Sequence, residues 1–336
     1  MKKLFLYLLV FEITLLATGG CSSDNSSDSK NTETNSDGNS DLGSDTIPDT
    51  DKNTDTDSSK GSDTDSSALN DSDTNSGNDS KTDSDTSSDT ELQEPFKGLA
   101  GNPSCAIRHS LNLSWFYNWM MNEKSADSCG DDSGGQFVPM IWGHPKELSE
   151  TWITDAVSGL ANEGYPYVLG FNEPDGDKQA NLTVAEALPL WPSFDNGAIA
   201  AASPAPAGNA AGKTWLEDFM SQVDLSQVDV VAFHWYGWNA GSCDADAKGL
   251  ENHIKWAESL PGNKPLWITE FGCLNESAPD EQTVLNFYKG ALEVFSRHPR
   301  LVRYAWYPWC TNCGLFNDDE SLTELGKEFA AAPPFK

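Results

Sequence analysis

The chain has 336 residues, with 52 Asp and Glu against 21 Lys and Arg and a formal net charge of −31. It is long enough for two domains, and it carries no basic stripe that would displace counterions from phosphate, so nucleic acid is excluded as a partner. Composition changes abruptly near residue 95, and the residues before that point hold about half of the net charge, so the acidity marks one segment and identifies no partner.

In chain order, the first segment is Met1-Lys2-Lys3, an apolar run from Leu4 to Leu16 broken by Glu12, and then Ala17-Thr18-Gly19-Gly20-Cys21. A positive start, a short apolar core and small residues at the exit predict a secretory signal over residues 1–20, too short for a membrane span of about 20 residues. With Cys21 directly after two glycines and before a Ser/Asp-rich stretch, the segment resembles a bacterial lipoprotein signal, which implies lipidation of Cys21. Plain cleavage and release is the other reading. Either way the chain is expected to be exported, and the membrane to be met only through the lipid anchor. Residues 21–95 are almost entirely Ser, Asp, Thr, Asn and Gly, with isolated apolar residues such as Leu42, Ile47 and Leu69. Such a segment buries too little to offset the entropy of ordering it, and a disordered, self-repelling acidic spacer is expected.

Export sets the redox context. Apart from Cys21 there are Cys105, Cys129, Cys243, Cys273, Cys310 and Cys313. An even number predicts three disulfides, in any of about 15 pairings among which the spacing does not choose. Cys310-Thr-Asn-Cys313 has a metal-like spacing, but no second such pair and no histidine cluster accompanies it, so a loop disulfide is expected and no metal.

From residue 96 to 336 the chain is rich in aromatic residues, and its size fits a single (β/α)8 TIM barrel. Apolar runs predict strands at 112–117, 136–141, 167–171, 198–202, 228–235, 265–269 and 301–306. Amphipathic stretches at 149–163, 213–222, 251–259 and 280–297 alternate with them, which indicates an α/β fold with a parallel sheet. The eighth strand is expected before Gln136, where the polar stretch from Glu123 to Gly135 gives no signal. No glycine-rich phosphate turn follows an early strand, which leaves an open nucleotide-binding sheet unsupported.

Functional residues of such a barrel gather at the carboxyl ends of its strands. Two of those ends carry a Glu that terminates an apolar run, Glu173 in VLGFNEPD and Glu270 in WITEFG, and most of the others carry aromatics. A lone Glu at a strand end is usually a solvated cap. Two of them, three strands apart and among aromatic residues that suit the apolar faces of sugars, point to glycosidic bond cleavage by a pair of carboxyl groups. Asp175, after a proline, reads as a turn cap. His234 can be a satisfied core histidine, and Trp115 and Trp256 can be core packing. Ser203 lacks the elbow of a serine hydrolase.

SWFYNW, FVPMIWG, GFNEPD, FHWYGW, WITEFG and YAWYPW, in that order between Asn112 and Trp309, together resemble glycoside hydrolase family 128, the Asl1-like catalytic domains within the clan of retaining (β/α)8-barrel glycosidases. The resemblance implies a β-1,3-glucanase that works as a monomer without a cofactor; internal cleavage is expected, with cleavage from a chain end the other reading. It implies Glu173 as general acid/base, Glu270 as nucleophile and Asn172 as the amide that holds the sugar 2-hydroxyl. His234 and Tyr236 then lie beside the nucleophile, and Trp115, Trp119, Trp142, Trp238, Trp306 and Trp309 are expected to contact substrate. A proton donor at neutral pH calls for a raised pKa at Glu173, while Glu270 must stay ionised to attack. A glycosidase of the same clan acting on another β-glycan, or a non-catalytic glucan-binding lipoprotein, would use the same residues.

Overall fold

The computed structural model describes residues 96–332, apart from 124–128, 130–133, 146–147, 150, 238–240 and 275–278. The expected signal over 1–20, Cys21, the spacer over 21–95 and Trp238 lie outside the described residues.

Among the described residues there are eight strands: β1 (Phe96–Ala100), β2 (Trp115–Tyr117), β3 (Gln136–Phe137), β4 (Tyr167–Leu169), β5 (Ala200–Ala202), β6 (Val231–Tyr236), β7 (Leu266–Gly272) and β8 (Leu301–Trp306). Seven α-helices accompany them among the same residues: α1 (Cys105–Leu111), α2 (Trp152–Asn162), α3 (Val184–Leu190), α4 (Ala210–Gln222), α5 (Lys248–Glu258), α6 (Glu281–Ser296) and α7 (Glu324–Ala331). Side-chain oxygens of Ser104, Thr183, Asn209, Asp280 and Thr323 start five of these helices by accepting from first-turn N–H groups.

All the paired strands run parallel, in a six-stranded ladder β3-β2-β1-β8-β7-β6 and a two-stranded ladder β4-β5. Single bridges from Met140 to Leu169 and from Ala202 to Val230 join the two ladders, so the strands follow one another around a TIM-like barrel. Among the described residues no helix is long and apolar enough to cross a membrane.

The strand that pattern could not locate is β1, ahead of Asn112 and outside the polar stretch from Glu123 to Gly135. Its sequence, FKGLA, hides it because two of its residues serve distant partners. Lys97 is fully buried and donates to the carbonyls of Phe329, Ala330 and Ala332 at 2.8, 2.9 and 2.9 Å, satisfying the open end of α7. Gly98 makes room for the Trp115 indole, whose Nε1 would lie 2.4 Å from any Cβ there. With β1 counted, the strand before Glu173 is the fourth and the strand containing Glu270 is the seventh.

Alternation along the strands sorts the core into two shells. Val168, Phe171, Phe233, Trp235, Ile268, Phe271, Tyr304 and Trp306 face the helices, while Trp115, Tyr117, Leu169, Ala202, Ala232, Trp267 and Ala305 face the barrel axis. At the amino-terminal end of the interior the Arg303 guanidinium sits among the rings of Trp267, Tyr167, Phe96 and Trp115, at 4.3, 4.7, 5.5 and 5.6 Å from their centroids. This aromatic plug closes the bottom, alanines fill the middle, and the polar residues collect at the carboxyl-terminal mouth.

The disulfides are Cys105–Cys129, Cys243–Cys273 and Cys310–Cys313. The last is the loop bridge expected from its spacing. All six cysteines lie in segments that follow strand carboxyl ends, so the bridges tie down the mouth of the barrel.

Candidate active site

Glu270 reaches the mouth through a break in strand alternation. Against β6, Phe233 pairs with Ile268 but His234 pairs with Glu270, and against β8 the register also slips between Ile268 and Phe271. Both neighbours therefore count one extra residue in β7, a bulge at Thr269. Trp267 points inward and Ile268 outward; without the extra residue Glu270 would follow Ile268 into the helix layer. The bulge turns Glu270 inward and Phe271 outward.

Three donors meet the Glu270 carboxylate. Tyr117 Oη and Trp119 Nε1 donate to Oε1 at 3.0 and 2.8 Å, and Tyr236 Oη donates to Oε2 in a short contact. Trp119 has φ +60°, a left-handed backbone, just past the end of β2. Glu270 itself is 5 % exposed. These three donors use both carboxylate oxygens as acceptors and fix the position of the buried group.

Glu173 arrives differently. Alternation places Phe171 outward and Asn172 inward, and Glu173 has φ +40°, so its side chain leaves the strand path. The backbone there is clamped from both sides: Asn172 N–H donates to the Trp142 carbonyl at 2.9 Å and Glu173 N–H to the Ala205 carbonyl at 2.8 Å. His234 Nδ1 lies 3.0 Å from Glu173 Oε1, and the other nitrogen, Nε2, lies 3.6 Å from Glu270 Oε1. One carboxylate oxygen from each Glu and a His234 ring nitrogen all fall within 4.8 Å of one another.

The charges are coupled through this imidazole. Burial pushes the Glu173 carboxyl up, but the hydrogen bond and positive charge of His234 outweigh it and leave the carboxyl below its ordinary value of 4.5. Burial likewise opposes the charge on His234, and the Glu270 charge with the Glu173 hydrogen bond reverses this, raising His234 above 6.5. The raised pKa expected at Glu173 is therefore not found; the raised group is the histidine that touches it. Burial, and then the charge of Glu270, push Tyr117 and Tyr236 well above their ordinary range.

Two carboxyl groups facing each other in a barrel mouth, one held by three donors and the other paired with histidine, can cleave an acetal by acid and nucleophile. Residues 99–329 match the family described as glycosyl hydrolase catalytic core. The chain belongs to that family. A solved endo-β-1,3-glucanase of glycoside hydrolase family 128, subgroup II, from Sorangium cellulosum is 31% identical with a TM-score of 0.61, covering 71% of this chain and 98% of that one. A subgroup I endo-β-1,3-glucanase of the same family from Amycolatopsis mediterranei, solved with laminaritriose, is 27% identical with a TM-score of 0.58, covering 72% and 100%. The alkali-sensitive linkage protein 1 of Schizosaccharomyces pombe is 28% identical over 69% of this chain, which spans only 43% of that relative's length. The chain is thus a glycoside hydrolase of family 128.

Within this glycoside hydrolase the other residues expected at the site divide sharply. Asn172 is buried beside Glu173; its Nδ2 donates to Gln179 Oε1 at 3.2 Å and its Oδ1 has no hydrogen-bond partner among the described residues. Trp142 is half-buried next to it. Trp309 is 55 % exposed, its Nε1 held by the Ala100 carbonyl at 3.3 Å and its ring lying against Gly101.

Trp115 and Trp306, by contrast, have no face open to a ligand. Trp115 lies two residues below Tyr117, fully buried against Trp267, and forms the floor of the site. Trp306 points outward, donates to the Cys313 carbonyl at 2.9 Å and packs edge-on against Phe271 and Tyr288. The inward residue at that end is Tyr307, which meets Trp119 and Tyr236 edge-on and whose hydroxyl is pushed up to about 12 by burial and then by the two Glu charges.

Tyr117, Tyr307 and Gln179 escaped the sequence reading as site residues. Strict alternation applied to SWFYNW and YAWYPW would have found the two tyrosines, since each is the inward neighbour of an outward-facing aromatic. Asp175 accepts from Ala207 N–H at 2.9 Å and ties two mouth loops together, in keeping with a capping residue.

Proposed function

We propose that the chain is an endo-acting β-1,3-glucanase that cleaves with retention of configuration. The observation that carries this reading is the approach of Glu173 and Glu270 within 4.8 Å across His234. So close an approach fits the roughly 5–5.5 Å carboxyl separation of retaining enzymes better than the about 6.5–9.5 Å of inverting ones. The similarity to family 128 endo-β-1,3-glucanases supports the choice of glucan.

In the first step a Glu270 oxygen bonds to the anomeric carbon, the bond to the departing glucan breaks with its electron pair on oxygen, and that oxygen takes a proton from Glu173. In the second, the Glu173 carboxylate takes a proton from water, the water oxygen bonds to the anomeric carbon and Glu270 leaves. The proton for the first step belongs to the Glu173–His234 pair. The 3.0 Å hydrogen bond between His234 Nδ1 and Glu173 Oε1 is the path by which it reaches Glu173 as the leaving oxygen approaches. The unpaired Asn172 Oδ1 accepts the sugar 2-hydroxyl, and Trp309 offers its open ring face to a further glucose unit. The export signal and the lipid anchor on Cys21, read from sequence, complete the proposal of a monomeric glucanase at the cell surface.

Incubating the full-length protein with linear β-1,3-glucan, β-1,4-glucan and xylan tests this. Laminari-oligosaccharides of mixed length from the first substrate alone are expected. Release from either other polymer with none from β-1,3-glucan would sink the choice of substrate.

A further inference from the structure

We infer that the Glu173–His234–Glu270 cluster is an inhibitory site for a borderline transition-metal ion such as Zn2+, which would block the enzyme by seizing both carboxylates at once. One oxygen from each carboxylate and one imidazole nitrogen already lie within 4.8 Å of one another, and the Nε2–Oε1 separation is 3.6 Å. Zinc bound by nitrogen and carboxylate oxygen sits about 2.0–2.2 Å from each ligand, so neighbouring donors around a tetrahedral ion stand roughly 3.4 Å apart. The first pair is thus nearly at that spacing, and Glu173, the more exposed member at 18 % against 7 % for Glu270, can supply the remaining movement.

A second observation points to the same place. His234 is fully buried, and its Nε2 makes no hydrogen bond although it faces the Glu270 carboxylate. An orphaned imidazole nitrogen facing the Glu270 carboxylate, on a ring whose other nitrogen meets Glu173, together with the two carboxylates makes a donor set for zinc or copper, with water in the fourth position. It is a poor one for Mg2+ or Ca2+, which require six or more oxygen ligands. Among the described residues the other group with metal-ligand spacing is Cys105, His109 and Cys129, and there the two sulfurs are spent on each other in a disulfide. The inference rests on the donor atoms and not on which glycan is cleaved, so binding can be read without substrate.

The test is calorimetric titration of zinc chloride into the full-length, oxidised protein. One site is expected, weakened at least about tenfold in His234→Asn and in Glu173→Gln, because even outer-sphere changes cost 10–100-fold in metal affinity. Glu173→Gln alters a partly exposed side chain, which keeps the test usable should the buried His234 variant fold poorly. His109→Ala should leave zinc affinity unchanged. In the unsubstituted enzyme zinc should raise KM without lowering kcat, and EDTA should reverse it. Zinc affinity that is unmoved by either site substitution, that falls in His109→Ala, or that inhibits without competing with glucan would overturn the inference.

Discussion

Glu270 and Glu173 both stand at the barrel mouth, and each arrives there by breaking the strand pattern in a different way. Glu270 uses a bulge inside a long ladder, where β7 is paired along its length on both sides, and three donors fix its two oxygens. Glu173 follows a three-residue strand in the two-stranded ladder. A left-handed backbone aims it, at a cost of roughly 1–2 kcal/mol for a residue other than glycine, and its carboxylate has one histidine partner. The difference suits the chemistry. A nucleophile needs one protonation state and one position, whereas an acid/base must hold a proton loosely enough to give it up and take it back.

Substitutions should separate the two roles. Glu270→Gln is expected to lower kcat on β-1,3-glucan by at least about 10⁴-fold whatever the leaving group, as loss of a nucleophile does. Glu173→Gln should cost about 10²–10⁴-fold on glucan but far less on aryl glucosides whose leaving group needs no proton. Equal losses on both substrates would erase the distinction. Removing one donor, in Tyr236→Phe, should lower kcat by about 10²-fold with KM little changed, measured by initial rates.

His234→Asn should act on the pH profile. The folded pKa of His234 is raised, so the stability its pairing supplies is whole below its ordinary 6.5 and is lost as pH rises through the raised value. That of Glu173 is depressed, so its contribution is whole above 4.5 and is lost as pH falls through the depressed value. The pair is strongest between the two ordinary values. Without the imidazole, the alkaline limb of kcat/KM should move to lower pH, and an unmoved limb would remove the histidine from the proton path. The smallest effect is expected at the rim: Trp309→Ala should raise KM about threefold to tenfold and leave thermal stability intact, while Trp306→Ala should cost about 3–5 kcal/mol of stability.

Much of this was legible in the sequence because it depends on short-range pattern. GFNEPD and WITEFG end apolar runs three strands apart, and counting β1 makes those strands the fourth and the seventh. The failures have physical causes. β1 is built on Lys97 and Gly98, which answer to α7 and Trp115 far along the chain, so no local pattern announces it. Trp115 and Trp306 were set at the substrate because they lie near strand ends, but depth and direction decide exposure, and alternation sends Trp306 to the helices. The pKa of Glu173 depends on a histidine 61 residues away, which no reading of the motif alone contains.

The central claim is that Glu270 attacks the sugar from the face opposite the departing glucan. Proton NMR of the fresh reducing end, followed during hydrolysis of linear β-1,3-glucan before mutarotation sets in, tests it directly. The β-anomer should appear first. Initial release of the α-anomer would contradict the two-glutamate retaining mechanism.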